Sequence, residues 1–491
     1  MLRWDYSESV KLPTAFADDT ETYTLTVNNT GTTEHIFELY QIFTGDLSDD
    51  GTLSNIQWGS GVTVEGKNEL GDASTKAASL NENNAKDFAN SLAQFLTSPT
   101  TSTGVSANSS YKFDNLTAGY YLVKDKDGTQ NNGGSYTSFI MQVTGNETVS
   151  TKLGVPTVEK KVKDINDSTG KTSGWQDSAD ADVGDDVQYQ ITGYMPDNIA
   201  DYTTYKYIFT DTMSKGLTYT AGKATIMIGK TDVAKSFTET VTPNPDGTTT
   251  VTWGCDNLRG IDGVTLDKDT KVVVTYSAKL NKDAVIGSAG NPNTVNLTYS
   301  NNPNQGGKDE TGKTPDDKNI VFTYKMVVNK KDPDGNALAG AGFKLEKKTS
   351  NNTYNVVNTI SAGKDSDGKD ITTFEFTGLD DGTYRLTEVD TPAGYNTIAP
   401  IEFTISATHD TTSDDPKLKE LSGKATSGEA TFTVDDKLSS LTTDVVNKKG
   451  SILPSTGGRG TTMIYIIGAA LVITAGVVLV MRKKMSSDKE A

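Results

Sequence analysis

The chain has 491 residues, a formal charge of −18 and an apolar fraction of 34%, and that length suggests roughly three domains. So acidic a balance excludes nucleic acid as a partner, which needs a basic face. The abundance of Thr, Asn, Asp and Gly favours strands and turns over helices. Cys255 is the single cysteine, so no intrachain disulfide can form, and neither His35 nor His409 lies near it in sequence. It reads as an incidental buried or half-buried thiol rather than a nucleophile. No His–Cys, Ser–His–Asp or metal-ligand cluster is visible, so the chain reads as no enzyme and implies no cofactor.

In chain order, residues 1–17 read as a residual or truncated signal region. Ala15-Phe16-Ala17 has the small-x-small form of a signal-peptidase site, with a mature start at Asp18, but residues 1–14 lack the long apolar segment of a signal peptide. The first unit spans 18–152. Tyr23–Val27, His35–Phe43 and Ser138–Val143 alternate as strands do. One helix is expected over 81–96, where Ala85, Phe88, Ala89, Leu92, Phe95 and Leu96 share a core-facing side.

The second unit spans 153–323. Three of its segments put a polar residue on an apolar face: Lys160 between Val158 and Val162, Asp211 after Tyr207 and Phe209, and Asn293 before Val295 and Leu297. Lys161 and Asn296 are the nearest alternatives; parity argues against Lys161, and Asn296 faces away from Val295 and Leu297. The third unit spans 324–450. There Met326 and Val328 share a face with Lys330, Tyr384 and Leu386 with Glu388, and Val445 with Asn447. A spacing echo links units one and three: Phe113, Leu116, Gly119, Tyr121 and Val123 against Phe376, Leu379, Gly382, Tyr384 and Leu386. It reads as a strand, a glycine turn and a return strand. All three units read as β-sandwiches.

Buried polar groups are costly unless paired. Burial drives lysine toward its neutral, nucleophilic amine and glutamate toward its neutral acid. A protonated Glu388 could hydrogen-bond the Asn447 carboxamide and polarise its carbonyl. Attack by Lys330 would then expel ammonia and leave an intramolecular amide. The bland alternative is a buried polar network that never reacts.

The segments VNKKD, ALAGAGFKL, LTEVDTPAGY and the final VVNKKG together resemble the Cna B-type domain of Gram-positive adhesins and pilins over nearly all of unit three. The resemblance implies a Lys330–Asn447 isopeptide bond with Glu388 as its catalyst. Unit two, with GDDVQY at 184–189, DT at 211–212 and a late N-x-V, resembles the other pilin isopeptide domain. That implies a bond from Lys160 to Asn293 with Asp211 as catalyst. In unit one Asp125 falls where Glu388 would be, but Thr24 stands near the lysine position. Asp125 is therefore expected to be a solvated strand-end residue, with no bond of the unit-three kind.

The C-terminal segment, 451–491, holds Leu453-Pro454-Ser455-Thr456-Gly457. An uncharged run, Thr461 to Met481, follows and is long enough for a transmembrane helix of about 20 residues. Arg482, Lys483 and Lys484 come next, and the positive-inside rule puts the tail in the cytoplasm and the rest of the chain outside. The pattern resembles the cell-wall sorting signal of Gram-positive surface proteins. It implies that a sortase cuts between Thr456 and Gly457 and passes the Thr456 carbonyl to an amine.

The expected fold class is therefore all-β, tandem Ig-like or Cna-type β-sandwiches with a C-terminal transmembrane helix. The whole resembles the major shaft subunit of a sortase-assembled pilus, anchored to the cell wall. That implies sortase, identical subunits joined head to tail, minor pilins and peptidoglycan as partners. Lys152, at the junction before unit two, is the expected acceptor amine, although Thr151 stands where the family commonly has proline; Lys124 and Lys126 are the alternatives. The rival readings are a monomeric anchored adhesin with a host or bacterial surface ligand, and a minor basal or tip pilin.

Overall fold

The computed structural model of the protein describes residues 21–450, apart from 49–50, 82–83, 131–133, 152, 304–306, 308–309 and 436–438, together with 468–469 and 471–480. The expected signal region, the Leu453–Gly457 run and Lys152 lie outside the described residues. Among the described residues no helix is long and apolar enough to cross a membrane. Of the apolar run at 461–481, the described residues 468–469 and 471–480 are helical.

In the first unit Tyr23–Asn28 turns Tyr23, Leu25 and Val27 inward. It runs antiparallel to Ser110–Leu116 and parallel to Glu147–Ser150, forming a three-stranded sheet. A second sheet runs Leu53–Trp58, Phe37–Leu47, Gly119–Asp125, Ser138–Val143, with Thr100–Thr101 beside Phe37–Leu47. Its strands carry two inward sets. Leu39 and Val123 pack toward the first sheet, while Tyr40, Ile42 and Leu122 pack with Phe88, Leu92 and Phe95 in a separate core.

The unit is thus more than the plain sandwich expected. The helix expected over 81–96 is Ala85–Leu92, ending in a 3-10 turn, Ala93–Phe95, and two further helices, Val64–Leu70 and Ala73–Ser79, precede it. Each of those two has only 7 residues, too short for a periodic stripe to stand out. Their start signals are local: Thr63 and Asp72 side chains accept from the Gly66 and Thr75 N–H groups.

The second unit is a sandwich of a seven-stranded and a six-stranded sheet. The larger runs Ser178–Asp180, Asp317–Phe322, Asn291–Ser300, Tyr207–Met213, Thr249–Cys255, Thr238–Pro243, with Thr311–Lys313 beside Asn291–Ser300. The smaller runs Thr231–Asp232, Thr225–Ile228, Lys271–Leu280, Asp186–Tyr194, Thr157–Val162, with Leu217–Tyr219 beside Lys271–Leu280. Tyr189, Phe209, Trp253 and Tyr276 fill the space between, and Cys255 is buried there as a core thiol.

In the third unit a four-stranded sheet runs Thr373–Leu379, Tyr324–Lys331, Ser440–Val446, Phe432–Asp435. It faces a five-stranded sheet, Tyr354–Ile360, Gly342–Lys348, Gly382–Asp390, Ile401–His409, Leu418–Ser427. First and last long strands, Tyr324–Lys331 and Ser440–Val446, are parallel neighbours.

The spacing echo has a different structural meaning from the hairpin expected. Ser110–Leu116 and Gly119–Asp125 lie in different sheets, as do Thr373–Leu379 and Gly382–Asp390. Each motif is a corner that carries the chain across the sandwich. In both, the tyrosine hydroxyl donates four residues back, Tyr121 to the Thr117 carbonyl and Tyr384 to the Asp380 carbonyl, each at 2.8 Å. The glycines are required by close approach: a Cβ on Gly119 would lie 2.4 Å from the Phe43 carbonyl oxygen, and Gly382 has φ +147°.

Candidate crosslinking sites

In unit three, alternation along Tyr324–Lys331 buries Met326 and Val328 and, with them, Lys330. Its aliphatic stem belongs to the core face, but its amine needs a partner. The Lys330 Nζ donates to the Asn447 Oδ1 at 2.6 Å and to the Val445 carbonyl at 3.0 Å. The opposite sheet supplies Glu388, which closes the cluster. Its Oε1 accepts from the Asn447 Nδ2 at 2.8 Å and lies 4.0 Å from the lysine amine; its Oε2 accepts from the Ile398 N–H at 3.0 Å.

Burial lowers the Lys330 amine to about 8, against the pull of Glu388. A substantial neutral fraction is therefore present near pH 8. Glu388 faces the amide nitrogen of Asn447, not the carbonyl oxygen that the sequence reading assigned to it. This orientation suits a carboxyl that passes a proton to the departing nitrogen.

In unit two the pieces come from both sheets. Lys160 lies on the edge strand Thr157–Val162 of the smaller sheet; Asp211 and Asn293 lie on neighbouring strands of the larger. All three side chains are fully buried. The Lys160 Nζ donates to Asp211 Oδ1 at 2.6 Å, and burial lowers its pKa although Asp211 pulls the other way. Lys161 instead reaches the rim, donating to Asp177 Oδ1 at 2.5 Å, and Asn296 donates to Asp316 Oδ1 at 2.9 Å.

Two participants escaped the sequence reading. The Tyr276 hydroxyl takes a hydrogen bond from Lys160 Nζ at 2.6 Å and from Asn293 Nδ2 at 2.9 Å, and gives one to Asp211 Oδ2 at 2.5 Å. It joins the amine, the acid and the carboxamide. Asn319, on the last strand Asp317–Phe322, is the register partner of Asn293. It is fully buried, and neither its side-chain oxygen nor its nitrogen is hydrogen-bonded; the Asn293 Oδ1 is likewise unpartnered. Tyr276→Phe is expected to slow ammonia loss in unit two while leaving unit three unchanged. Intact-mass spectra of freshly folded protein would show it as a population retaining one extra ammonia.

Unit one differs from expectation at Asp125, which is fully buried rather than solvated. Its Oδ1 pairs with His35 Nδ1 at 2.8 Å and its Oδ2 accepts the Thr137 N–H at 2.6 Å. Burial raises its pKa while His35 and the backbone bond lower it. Thr24, near the lysine position, bonds Asn146 instead.

Of the expected acceptor amines, Lys152 is outside the described residues, but both neighbours are placed. Thr151 is buried, accepting from the Thr30 N–H through its hydroxyl at 3.0 Å, and Leu153 packs beside Gly31. Lys124 is tied to Asp127 at 2.9 Å, whereas Lys126 is exposed.

Comparison with known proteins finds two matching domain families. Residues 183–303 match the Gram-positive pilin backbone subunit 2, Cna-B-like domain, and residues 324–417 match the SpaA prealbumin-like fold domain. The trypsin-resistant surface T6 protein of Streptococcus pyogenes serotype M6 is 26% identical over 405 residues, 69% of this chain and 71% of that protein. The solved T6 backbone pilin of serotype M6 Streptococcus pyogenes, described as a modular three-domain structure, superposes with a TM-score of 0.55 at 19% identity, covering 89% of this chain and 100% of that one. The full-length major pilin SpaD from Corynebacterium diphtheriae gives 0.50 at 18% identity, covering 88% and 99%. The two superpositions carry the fold; the domain matches and the T6 relative carry the kinship. With a backbone-pilin domain followed by a prealbumin-like domain, the chain is similar to Gram-positive backbone pilins over these two regions.

Proposed function

We propose that this chain is the shaft subunit of a cell-wall-anchored pilus, linked head to tail by sortase through Thr456 and Lys152 and hardened by internal Lys–Asn amides. The observation that carries the reading is the pair of buried lysine–acid–asparagine clusters in a backbone-pilin fold. A shaft subunit must transmit tension from neighbour to neighbour, and a covalent tie between distant strands serves that need. The apolar run at 461–481 would hold the chain at the membrane until cleavage after Thr456, with the basic tail that follows it in the cytoplasm.

The chemistry is a transamidation within the chain. In unit three the neutral Lys330 Nζ attacks the Asn447 Cγ, and the new C–N bond replaces the bond to Nδ2. Glu388 takes the surplus proton from Nζ and delivers it to Nδ2, which leaves as ammonia. In unit two Lys160 attacks Asn293, with Asp211 taking the proton and the Tyr276 hydroxyl passing it on. Asn319 is the competing acceptor there, because its carboxamide shares the pocket and is unbonded. Peptide mapping after digestion separates the two.

The polymer claim is tested by immunoblot of boiled cell-wall extract, wild type beside Lys152→Ala. A high-mass ladder that disappears in the variant is the expected result. A ladder that survives moves the acceptor to Lys124 or Lys126. One monomer-sized band in both strains would overturn the shaft reading in favour of a solitary adhesin.

A further inference from the structure

One end of unit one sets a carboxylate, an imidazole, a hydroxyl and a carboxamide in a line. Asp125 and His35 are both fully buried, and the Asp125 Oδ1 meets the His35 Nδ1 at 2.8 Å. The Asp125 Oδ2 accepts the Thr137 N–H at 2.6 Å, which holds the carboxylate in place. A ring nitrogen that donates to a carboxylate leaves the other nitrogen as an acceptor. That other nitrogen, His35 Nε2, lies 3.4 Å from the Thr33 Oγ1. The Thr33 hydroxyl in turn donates to the Gln130 Oε1 at 2.9 Å, across 97 residues of chain.

The first three groups make the arrangement that activates a hydroxyl for acyl transfer, in which an oriented base takes the proton of the attacking oxygen. The fourth supplies an acyl carbon, the Gln130 Cδ. Gln130 is 1% exposed, so bulk water is kept from that carbon. Its Nε2 donates to the Glu34 carbonyl at 2.9 Å, and its backbone carbonyl accepts from the Asn301 Nδ2 at 2.9 Å. The side chain is thus held with its oxygen toward Thr33. Two glycines keep the approach open. A Cβ on Gly134 would overlap the Gln130 Oε1 and lie 2.5 Å from the Thr33 Oγ1, and one on Gly31 would lie 3.2 Å from the His35 Nε2.

We propose that Thr33 and Gln130 join as an intramolecular ester, with His35 as general base and Asp125 as the residue that positions it. Rotation of the Thr33 hydroxyl turns its proton from Gln130 toward the His35 Nε2. The Thr33 Oγ1 then attacks the Gln130 Cδ as His35 takes the proton. His35 returns that proton to the Gln130 Nε2, the C–N bond breaks, and ammonia leaves. A hydroxyl and a carboxamide thus become an ester and ammonia, with no oxidant or cofactor. Thr33 precedes the strand Phe37–Leu47, and Gln130 follows its sheet neighbour Gly119–Asp125. The ester ties these two strands at the end where Asn301 of unit two meets Gln130. It gives unit one a covalent tie of its own, made by other residues than the amides above and independent of them.

The test is peptide mapping of the full chain purified in detergent. Digestion is expected to yield one branched peptide carrying both Thr33 and Gln130, lighter by one ammonia than its two parts together. Hydroxylamine under denaturing conditions is expected to split that peptide and to leave the amide-linked peptides of units two and three whole, so the ester and the amides stand or fall separately. Thr33→Val is expected to abolish the branched peptide and Thr33→Ser to keep it. His35→Gln is expected to slow its formation in freshly folded protein at least about a hundredfold. In Asp125→Asn the new amide oxygen takes the Thr137 N–H and the amide nitrogen faces His35. That variant is expected to slow the reaction too and to reverse the His35 tautomer, which nitrogen NMR shifts of the ring report. Should the variants of the buried pair fail to fold, the half-buried Thr33 provides the decisive substitutions. Separate Thr33 and Gln130 peptides of full mass from wild-type protein would overturn the proposal, as would a branched peptide that survives Thr33→Val.

Discussion

Through the amides of units two and three, residues 18–450, purified intact, are expected to weigh less than their sequence by two molecules of ammonia. Glu388→Ala is expected to regain one of them and Asp211→Ala the other. The reason is stoichiometric: each amide forms by joining an amine to a carboxamide, and the only product released is ammonia. The full sequence mass in the wild-type protein would overturn both bonds. An unchanged deficit in Glu388→Ala would remove Glu388 from its role. The effect on stability should be large. Lys330 and Asn447 are 117 residues apart, and closing a loop of that size covalently removes about 5 kcal/mol of unfolded-state entropy on the model used for disulfides. Glu388→Ala therefore lowers the melting temperature and opens unit three to protease. It also leaves the Lys330 amine buried with its carboxylate partner gone, which adds a desolvation cost.

Much of this was legible because strand parity is a strict rule. Once Met326 and Val328 face the core, Lys330 must follow, and the same logic carried Glu388, Asn447, Lys160, Asp211 and Asn293 inward. Parity names a face, however, and never a partner. Tyr276 alternates with Val274 and Ala278 and looks like any core aromatic; only the fold shows its hydroxyl meeting Asp211, 65 residues away. Asn319 was hidden because its significance comes from its register with Asn293. Asp125 occupies a strand end, where solvent is the default. Its burial depends on His35, 90 residues earlier, and on the Thr137 segment folding over it. Thr33 and Gln130 were illegible for a related reason. Each is an ordinary polar residue until the fold sets them 2.9 Å apart across 97 positions. The short helices of unit one were missed because their signals are caps, not periodicity.

Pulled from its two ends, the crosslinked chain is expected to release almost no length from unit three, whereas Glu388→Ala should release about 400 Å, the span of 117 extended residues. Tension enters at Tyr324, passes from Lys330 through the amide to Asn447, and leaves at once. The 117 residues between are never loaded. Without the amide, load falls on the parallel pair Tyr324–Lys331 and Ser440–Val446, which is held only by non-covalent contacts: the strand ladder, core packing and the Lys331–Asp444 ion pair. Unit two gives a sharper outcome, because its acceptor decides how much chain lies outside the tie. A bond to Asn293 leaves residues 294–323 under load, so the strand Asp317–Phe322 can be stripped from the sheet and release about 100 Å. A bond to Asn319 brings that last strand inside the tie, and the step vanishes. A single-molecule trace with a step of about 100 Å that persists in Glu388→Ala assigns Asn293. Its absence from a protein of confirmed mass deficit assigns Asn319. A wild-type chain that yields the full length of unit three under load would sink the claim that the amide shields the fold.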